Sequence, residues 1–211
     1  MRNVAAALVP STDGLEPEEA KRVLRHTLRE SRAARTPRQR RQAAEALADQ
    51  ALAVVDELDD VRAVAAYVSR DSEPGTGPLL DALQSRDIRV ILPVLGPGLR
   101  RQWAEYTGWG DLAERAPGRP LEPSGPSLPT EAVEEADLVI APGLAVDESG
   151  VRLGQGAGWY DRILPHVRDD AEVHVCVYDE EILPAGTLPW EEHDVLVPTA
   201  ITPTRRLRLL H

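Results

Sequence analysis

The chain has 211 residues, of which 42% are hydrophobic, with a formal net charge of −11 and a single cysteine, Cys176. The length suits one packed α/β domain, the acidity argues against nucleic acid as the main partner because phosphate neutralisation needs a basic face, and one cysteine cannot form an internal disulfide. No apolar run approaches membrane-spanning length, residues 4–10 are too short for a signal segment, and the five histidines lack metal-ligand spacing. A cytoplasmic protein with neither nucleic-acid nor membrane partners is therefore expected.

Residues 1–15 read as a loose leader ahead of a single α/β domain over 16–211. A helix is expected from Pro17 to about residue 35, with Glu18 and Glu19 suited to its first turn. Thr36 and Pro37 read as the cap and first residue of a second helix, reaching about residue 58, whose apolar positions recur at helical spacing. A strand follows over 61–68, a helix over 77–86, and a second strand over 88–95. Residues 96–129, rich in Gly and Pro, read as a long functional loop with room for a small hairpin. Further strands are expected at 137–141, 171–178 and 194–197. Cys176 lies in the fourth strand, where a buried thiol is expected. Short apolar strands separated by helices imply a mostly parallel sheet with helices on both faces, a three-layer α/β/α, Rossmann-like arrangement. In such sheets ligands sit beyond the carboxyl ends of the strands.

Arg152-Leu-Gly-Gln-Gly-Ala-Gly-Trp-Tyr-Asp-Arg162 is the most informative segment. Gly154, Gly156 and Gly158 leave a bare backbone that can aim successive N–H groups at an anion, and residues 159–164 read as a helix opening beside it. Arg152 is placed to pair with a phosphate, and Asp161 to hold the Mg²⁺ that accompanies a nucleotide. The spacing is neither the dinucleotide fingerprint G-x-G-x-x-G nor a Walker loop, which needs G-K-[ST]. Indeed Lys21 is the chain's single lysine. It opens a basic stretch of nine cations and one acid between residues 21 and 41, in which Lys21, Arg25, Arg29 and Arg32 recur at i, i+4-type spacing. A solvated charged face explains several of these arginines, and a small nucleic-acid patch is a second option. A sharper reading has Lys21 and Arg25 reaching the phosphates held by the glycine loop.

Taken in order, K-x-x-L-R (Lys21–Arg25), E-x-x-T (Glu73–Thr76), P-G-L-A-x-D (Pro142–Asp147), the segment from Arg152 to Arg162, and L-P-x-x-x-H-D (Leu188–Asp194) resemble the 5-formyltetrahydrofolate cyclo-ligase family, also called methenyltetrahydrofolate synthetases. The likeness runs from Lys21 to about Pro203, and the glycine-loop motif is its most specific part. It implies conversion of 5-formyltetrahydrofolate, with or without a polyglutamate tail, to 5,10-methenyltetrahydrofolate, using ATP with Mg²⁺ and releasing ADP and phosphate. Lys21 and Arg152 would then be the catalytic cations. Lys21, Arg25, Arg152, Gly154, Gln155, Gly156, Ala157, Gly158, Trp159 and Tyr160 would contact ATP. Asp161 and Asp194 would be the metal ligands, and Val68, Glu73, Trp103, Gln155 and Trp159 the folate contacts. Trp103 could equally fill the core. Two positions depart from the family's habit: Ala157 replaces Gly or Lys, and Trp159 the more usual Tyr. A relative that binds nucleotide or folate without turnover is the main alternative; a sugar-phosphate isomerase or coenzyme A transferase rests on fold analogy alone.

Overall fold

The computed structural model describes residues 9–70 and 72–209. Residues 1–8 of the expected leader lie outside these; within the rest of it, Val9 packs against the first helix's apolar cluster and the Leu15 N–H donates to the Thr12 carbonyl.

Helix α1 (Pro17–Ala33) opens with Pro at its first turn and Glu18 and Glu19 at its positive end. Helix α2 (Pro37–Glu57) starts in a capping box: the Thr36 hydroxyl accepts from the Gln39 N–H, and the Gln39 side chain accepts from the Thr36 N–H at 2.8 Å. Strand β1 (Ala63–Ala65), helix α3 (Gly77–Ser85) and strand β2 (Arg89–Leu95) follow. The chain then makes β3 (Arg101–Glu105) and a two-stranded ribbon of β4 (Leu112–Glu114) and β5 (Leu121–Pro123). Next come β6 (Leu138–Pro142), β7 (Ala145–Asp147), β8 (Arg152–Leu153), the short helix α4 (Trp159–Ile163), β9 (Glu172–Cys176), β10 (Ile182–Leu183), β11 (Thr199–Ile201) and β12 (Arg206–Arg208).

The main sheet has seven strands in the order β12-β11-β9-β6-β1-β2-β3. The five inner strands are parallel, and β12 and β3 close the edges antiparallel. Both faces are covered, as the continuous apolar strands require. Val64, Ile140 and Cys176 face α2 and α3, whereas Ala65, Val139 and Val175 face the opposite core with Ile163 of α4. That second face is covered by α4 and by short 3₁₀ helices at Thr130–Glu135 and Leu164–His166. Burial pushes the Cys176 thiol up to about 12, so it is an inert core group.

Helix α1 does not lie on the main sheet. Its Leu24 and Leu28 pack on the small sheet β10-β7-β8 through Ala145, Leu153 and Leu183. The fully buried Arg32 fixes this placement, donating to both carboxylate oxygens of Glu181 at 2.8 Å and to the Gly143 carbonyl at 2.6 Å. Arg32 is therefore a structural cation, locked to Glu181 and the Gly143 carbonyl and not offered to a ligand as the basic stripe's spacing suggested. The buried Asp147 has a similar office: its carboxylate accepts from the N–H groups of Ser149, Val151, Gly186 and Leu188. This explains the P-G-L-A-x-D motif as loop architecture, since it fastens the segment that carries Glu191 and Asp194.

Two expectations need correction. The strand expected at 194–197 is absent: Asp194 lies in a turn, Val197 is buried with its N–H on the Gly150 carbonyl, and the ladder begins beyond Pro198 with β11. Val197 serves packing without ladder pairing, while Leu196 is exposed. Residues 96–129 hold more order than a loop, because β3 pairs with β2 over five residues.

One core histidine is held against protonation by the fold. His174 on β9 is 6% exposed, neither ring nitrogen has a hydrogen-bond partner among the described residues, and Nε2 lies 3.3 Å from Glu172 without hydrogen-bond alignment. Burial lowers its pKa from the usual 6.5 despite the opposing charges of Glu172 and Glu57, and Arg206 also lowers it. Below pH about 6.5 the unfolded chain takes a proton that the folded chain resists, so stability falls with pH there. Denaturant titrations should show that His174→Gln has a flatter stability profile between pH about 7.5 and 5 than the parent. Parallel profiles would remove His174 as the cause.

Candidate functional site

The carboxyl ends of β1, β2 and β6 open into a cavity of about 880 Å³, large for a single-ligand pocket. Two walls face each other across it. One is built by α1 and the segment after β8; the other by the loop after β1, the end of β2 and the β4–β5 ribbon.

On the first wall, Lys21, Arg25 and Arg29 follow one another at four-residue intervals along α1. The Lys21 ammonium, 5% exposed, donates to Asp194 at 2.6 Å and to Glu191 at 2.8 Å. Burial alone would lower its pKa, but these two carboxylates leave it raised and the ammonium fully charged. Arg25 donates to the Gly154 carbonyl at 3.1 Å, and Arg29 to the Gln155 carbonyl at 2.9 Å. Arg101 of β3 reaches the Ala157 carbonyl. The glycine loop thus has its carbonyls engaged by arginines. Among the described residues, the N–H groups of Gln155, Gly156, Ala157 and Gly158 meet no acceptor. Gly156 and Gly158 have φ of +104° and +59°, the region that favours glycine. A Cβ on Gly154 would come 2.8 Å from the Arg152 guanidinium. Bare backbone is needed here for two separate reasons. Helix α4 is only five residues long, so these free N–H groups, not a long helix dipole, supply the loop's positive field.

Arg152 is held by Asp161, whose Oδ1 accepts from it at 2.6 Å, and its Nε is buried without a partner among the described residues. Burial raises the Tyr160 hydroxyl above the usual phenol value, and this oxygen has no hydrogen-bond partner among the described residues. Asp194 also belongs to a trio with Glu191 and His193 whose donor atoms all lie within 4.8 Å. These acids could hold a divalent cation.

On the second wall, Val68 and Glu73 are buried. The Glu73 carboxylate accepts from the Arg70 N–H at 2.9 Å and from the Gln155 side chain at 3.1 Å, so Gln155 links the two walls. Trp159 lies edge-on to Trp103, with ring centroids 4.8 Å apart.

All the residues named as site candidates line this cavity except Trp103. Trp103 is fully buried and its indole N–H donates to the Thr130 carbonyl at 3.1 Å. It buttresses Trp159 from the core and does not line the cavity. Sequence reasoning missed Glu191, Arg70, Arg119 and Glu122 as cavity residues. Glu191 sat within a quoted motif, Arg70 and Arg119 are polar residues in irregular segments, and Glu122 lies on a strand too short to carry a periodic signal.

A parallel α/β sheet with a polyanion-favouring loop and paired acids at its carboxyl edge defines a protein built around a charged-ligand cleft. The model of the 5-formyltetrahydrofolate cyclo-ligase family matches residues 17–203, and the chain belongs to that family, a family of ligases. It is 45% identical to the 5-formyltetrahydrofolate cyclo-ligase of Mycolicibacterium smegmatis over 149 residues, covering 68% of this chain and 75% of the relative. Against the Escherichia coli K12 protein of that name, identity is 33% over 150 residues, covering 67% and 78%. The NMR structure of Aquifex aeolicus 5,10-methenyltetrahydrofolate synthetase is similar with a TM-score of 0.74 and 26% identity, covering 90% of this chain and 92% of that one.

Proposed function

We propose that this protein converts 5-formyltetrahydrofolate to 5,10-methenyltetrahydrofolate in an ATP- and Mg²⁺-dependent reaction that releases ADP and phosphate. The observation that carries the reading is the single cavity in which a cationic glycine-loop wall faces a buried carboxylate, Glu73, with Gln155 touching both. An N-formyl oxygen is a poor nucleophile and hydroxide a poor leaving group. In the proposed reaction that oxygen takes the γ-phosphoryl group and ADP departs; N10 then attacks the formyl carbon, and the carbon–oxygen bond breaks to release phosphate. Catalysis of this kind is positioning and charge neutralisation. Lys21, Arg25 and Arg152, with the loop N–H groups, would hold and neutralise the triphosphate. Glu73 would accept hydrogen bonds from the pterin edge, and the Trp159 ring would offer an apolar face.

The donor set suits Mg²⁺, which takes one or two carboxylates and completes its shell with phosphate oxygens and water. Asp161 and Asp194 would hold it, and the ion would supply further neutralisation of the phosphates. Two roles for Asp161 separate in Asp161→Asn. A metal ligand predicts a requirement for roughly ten-fold more Mg²⁺ with little change in melting temperature. If Asp161 only orients Arg152 through their ion pair, the Mg²⁺ dependence will match the parent's while KM for MgATP rises.

Mixing the purified protein with 5-formyltetrahydrofolate and MgATP should generate the near-ultraviolet absorbance of the methenyl product. Nucleotide binding without that absorbance would instead identify a non-catalytic relative.

A further inference from the structure

At the β12 edge of the main sheet, on the face covered by α2, lies a second cavity of about 380 Å³ lined by Gln50, His174, Thr199, Arg206, Leu207 and Arg208. It shares no lining residue with the larger cleft. Among the described residues no carboxylate lines it. In a chain with 35 acids against 24 lysines and arginines, that is a local reversal of charge.

Strand register builds this site. His174 of β9 pairs with Thr199 of β11, and Thr199 pairs with Arg208 of β12, so the three form one row across the sheet and share a face. His174 also pairs with Ile140 of β6, which faces α2, so the row lies under that helix. Strands are spaced about 4.8 Å apart, which sets His174 and Arg208 roughly 10 Å apart along the row. An arginine side chain and one bound ion fill such a gap. Arg206 stands two residues before Arg208 and so lies on the same face, while Gln50 enters from α2.

Some of the lining is already committed. The Arg206 guanidinium donates to both carboxylate oxygens of Glu57, and the Thr199 hydroxyl donates to the Val173 carbonyl. The rest is not. His174 forms the floor, 6% exposed, with both ring nitrogens lacking a partner among the described residues, and a buried polar group of this kind calls for one. Among the described residues the Gln50 amide and the exposed Arg208 guanidinium have no hydrogen-bond or ion-pair partner either. These three donors converge from α2, β9 and β12, directions that do not share a plane. A tetrahedral oxyanion meets them better than a planar carboxylate, whose acceptors lie in one plane.

We propose that this cavity binds a phosphate or sulfate group, free or borne on a small molecule, between Arg208 and His174. The site is independent of the reaction assigned to the larger cleft. Its volume is at the low end for ligand pockets, with Leu207 offering apolar surface to a small substituent. Binding is coupled to a proton. Glu172 on the same strand and Glu57 of α2 favour the imidazolium form of His174, whereas burial and Arg206 oppose it. A bound anion adds to the favourable side, so affinity rises as pH falls from about 7.5 to 5.5.

Sulfate is the first probe, because its charge stays fixed across that range. Titrated into the full chain at constant ionic strength, it should shift the ring ¹⁵N resonances of His174, identified by their loss in His174→Gln. Binding read from those shifts should tighten about ten-fold over the pH range, and Arg208→Ala should weaken it about five-fold or more, with Arg208→Lys partly restoring it. Arg25→Ala, in the larger cleft, should leave the His174 response unchanged. Glycerol 3-phosphate compared with inorganic phosphate then separates the two sources: tighter binding of the ester marks a borne phosphate, and equal binding marks the free ion. The proposal is overturned if the His174 resonances stay still, if chloride moves them as sulfate does, or if parent and Arg208→Ala respond alike.

Discussion

Gly156→Val is expected to lower kcat/KM about 100-fold or more while leaving the fold intact. Gly156 sits at φ +104°, where a β-branched side chain is strained by roughly 1–3 kcal/mol, and its Cβ would lie 3.5 Å from the Arg25 guanidinium. The contact itself is ordinary, so the backbone must give. Turning the loop out of this conformation misdirects the N–H groups of residues 155–158 and pulls Arg25 and Arg29 from the carbonyls they hold. Loss of preorganised donors at a site of developing charge costs on the order of 10²–10³ in rate. The loop lies over the cavity and not in the core, so melting temperature should shift by no more than a few degrees, about 1 kcal/mol. Steady-state kinetics and far-ultraviolet circular dichroism on one preparation test both halves. Global unfolding would mean that the glycine serves the fold; unchanged kinetics would mean that the loop does not contact the reacting groups.

How far the sequence carried depends on whether a residue's role was local. The start of α2 was readable because Thr36, Pro37 and Gln39 form the cap by themselves, independent of tertiary context. The inner strands were readable because burial on both faces leaves continuous apolar runs such as 138–141. Edge and satellite strands were not. β8 and β10 are two residues each, and β3 follows a Gly-Pro-Gly turn that also suits a loop. The run at 195–197 misled because three consecutive apolar residues give the signature of a strand even where only Val197 is buried and none joins a ladder. In the candidate site, the glycine loop and Lys21 stood out by composition. Arg32 shares the stripe's spacing with Lys21, yet its partner Glu181 lies 149 residues away and only the fold brings the two together. Trp103 showed the same limit: an aromatic residue near a functional loop reads alike whether it touches ligand or supports the residue that does.

Replacing Lys21 should damage both binding and stability, and that combination distinguishes it from Arg25. Its ammonium is buried and bound by two carboxylates that come from a distant segment, so it fastens α1 to the loop carrying Glu191 and Asp194. In Lys21→Met the chain keeps the aliphatic bulk but leaves Glu191 and Asp194 facing one another without a cation. Breaking a fully buried pair costs about 3–5 kcal/mol; Glu191 retains 29% side-chain exposure, so about 2 kcal/mol is expected. KM for MgATP should rise about ten-fold or more, because a charge-assisted bond worth roughly 1.5–3 kcal/mol is lost from the proposed phosphate wall. The stability difference has a pH signature. With its pKa raised above 10.5 by these partners, Lys21 contributes its full stabilisation below pH about 10.5 and loses it as pH climbs through the folded-state value. Parent and variant denaturation curves should therefore be well separated at pH about 8 and converge in strong alkali. An unchanged melting temperature at pH about 8 would show that the ion pairs carry no net stability, and an unchanged KM for MgATP would remove Lys21 from the nucleotide site.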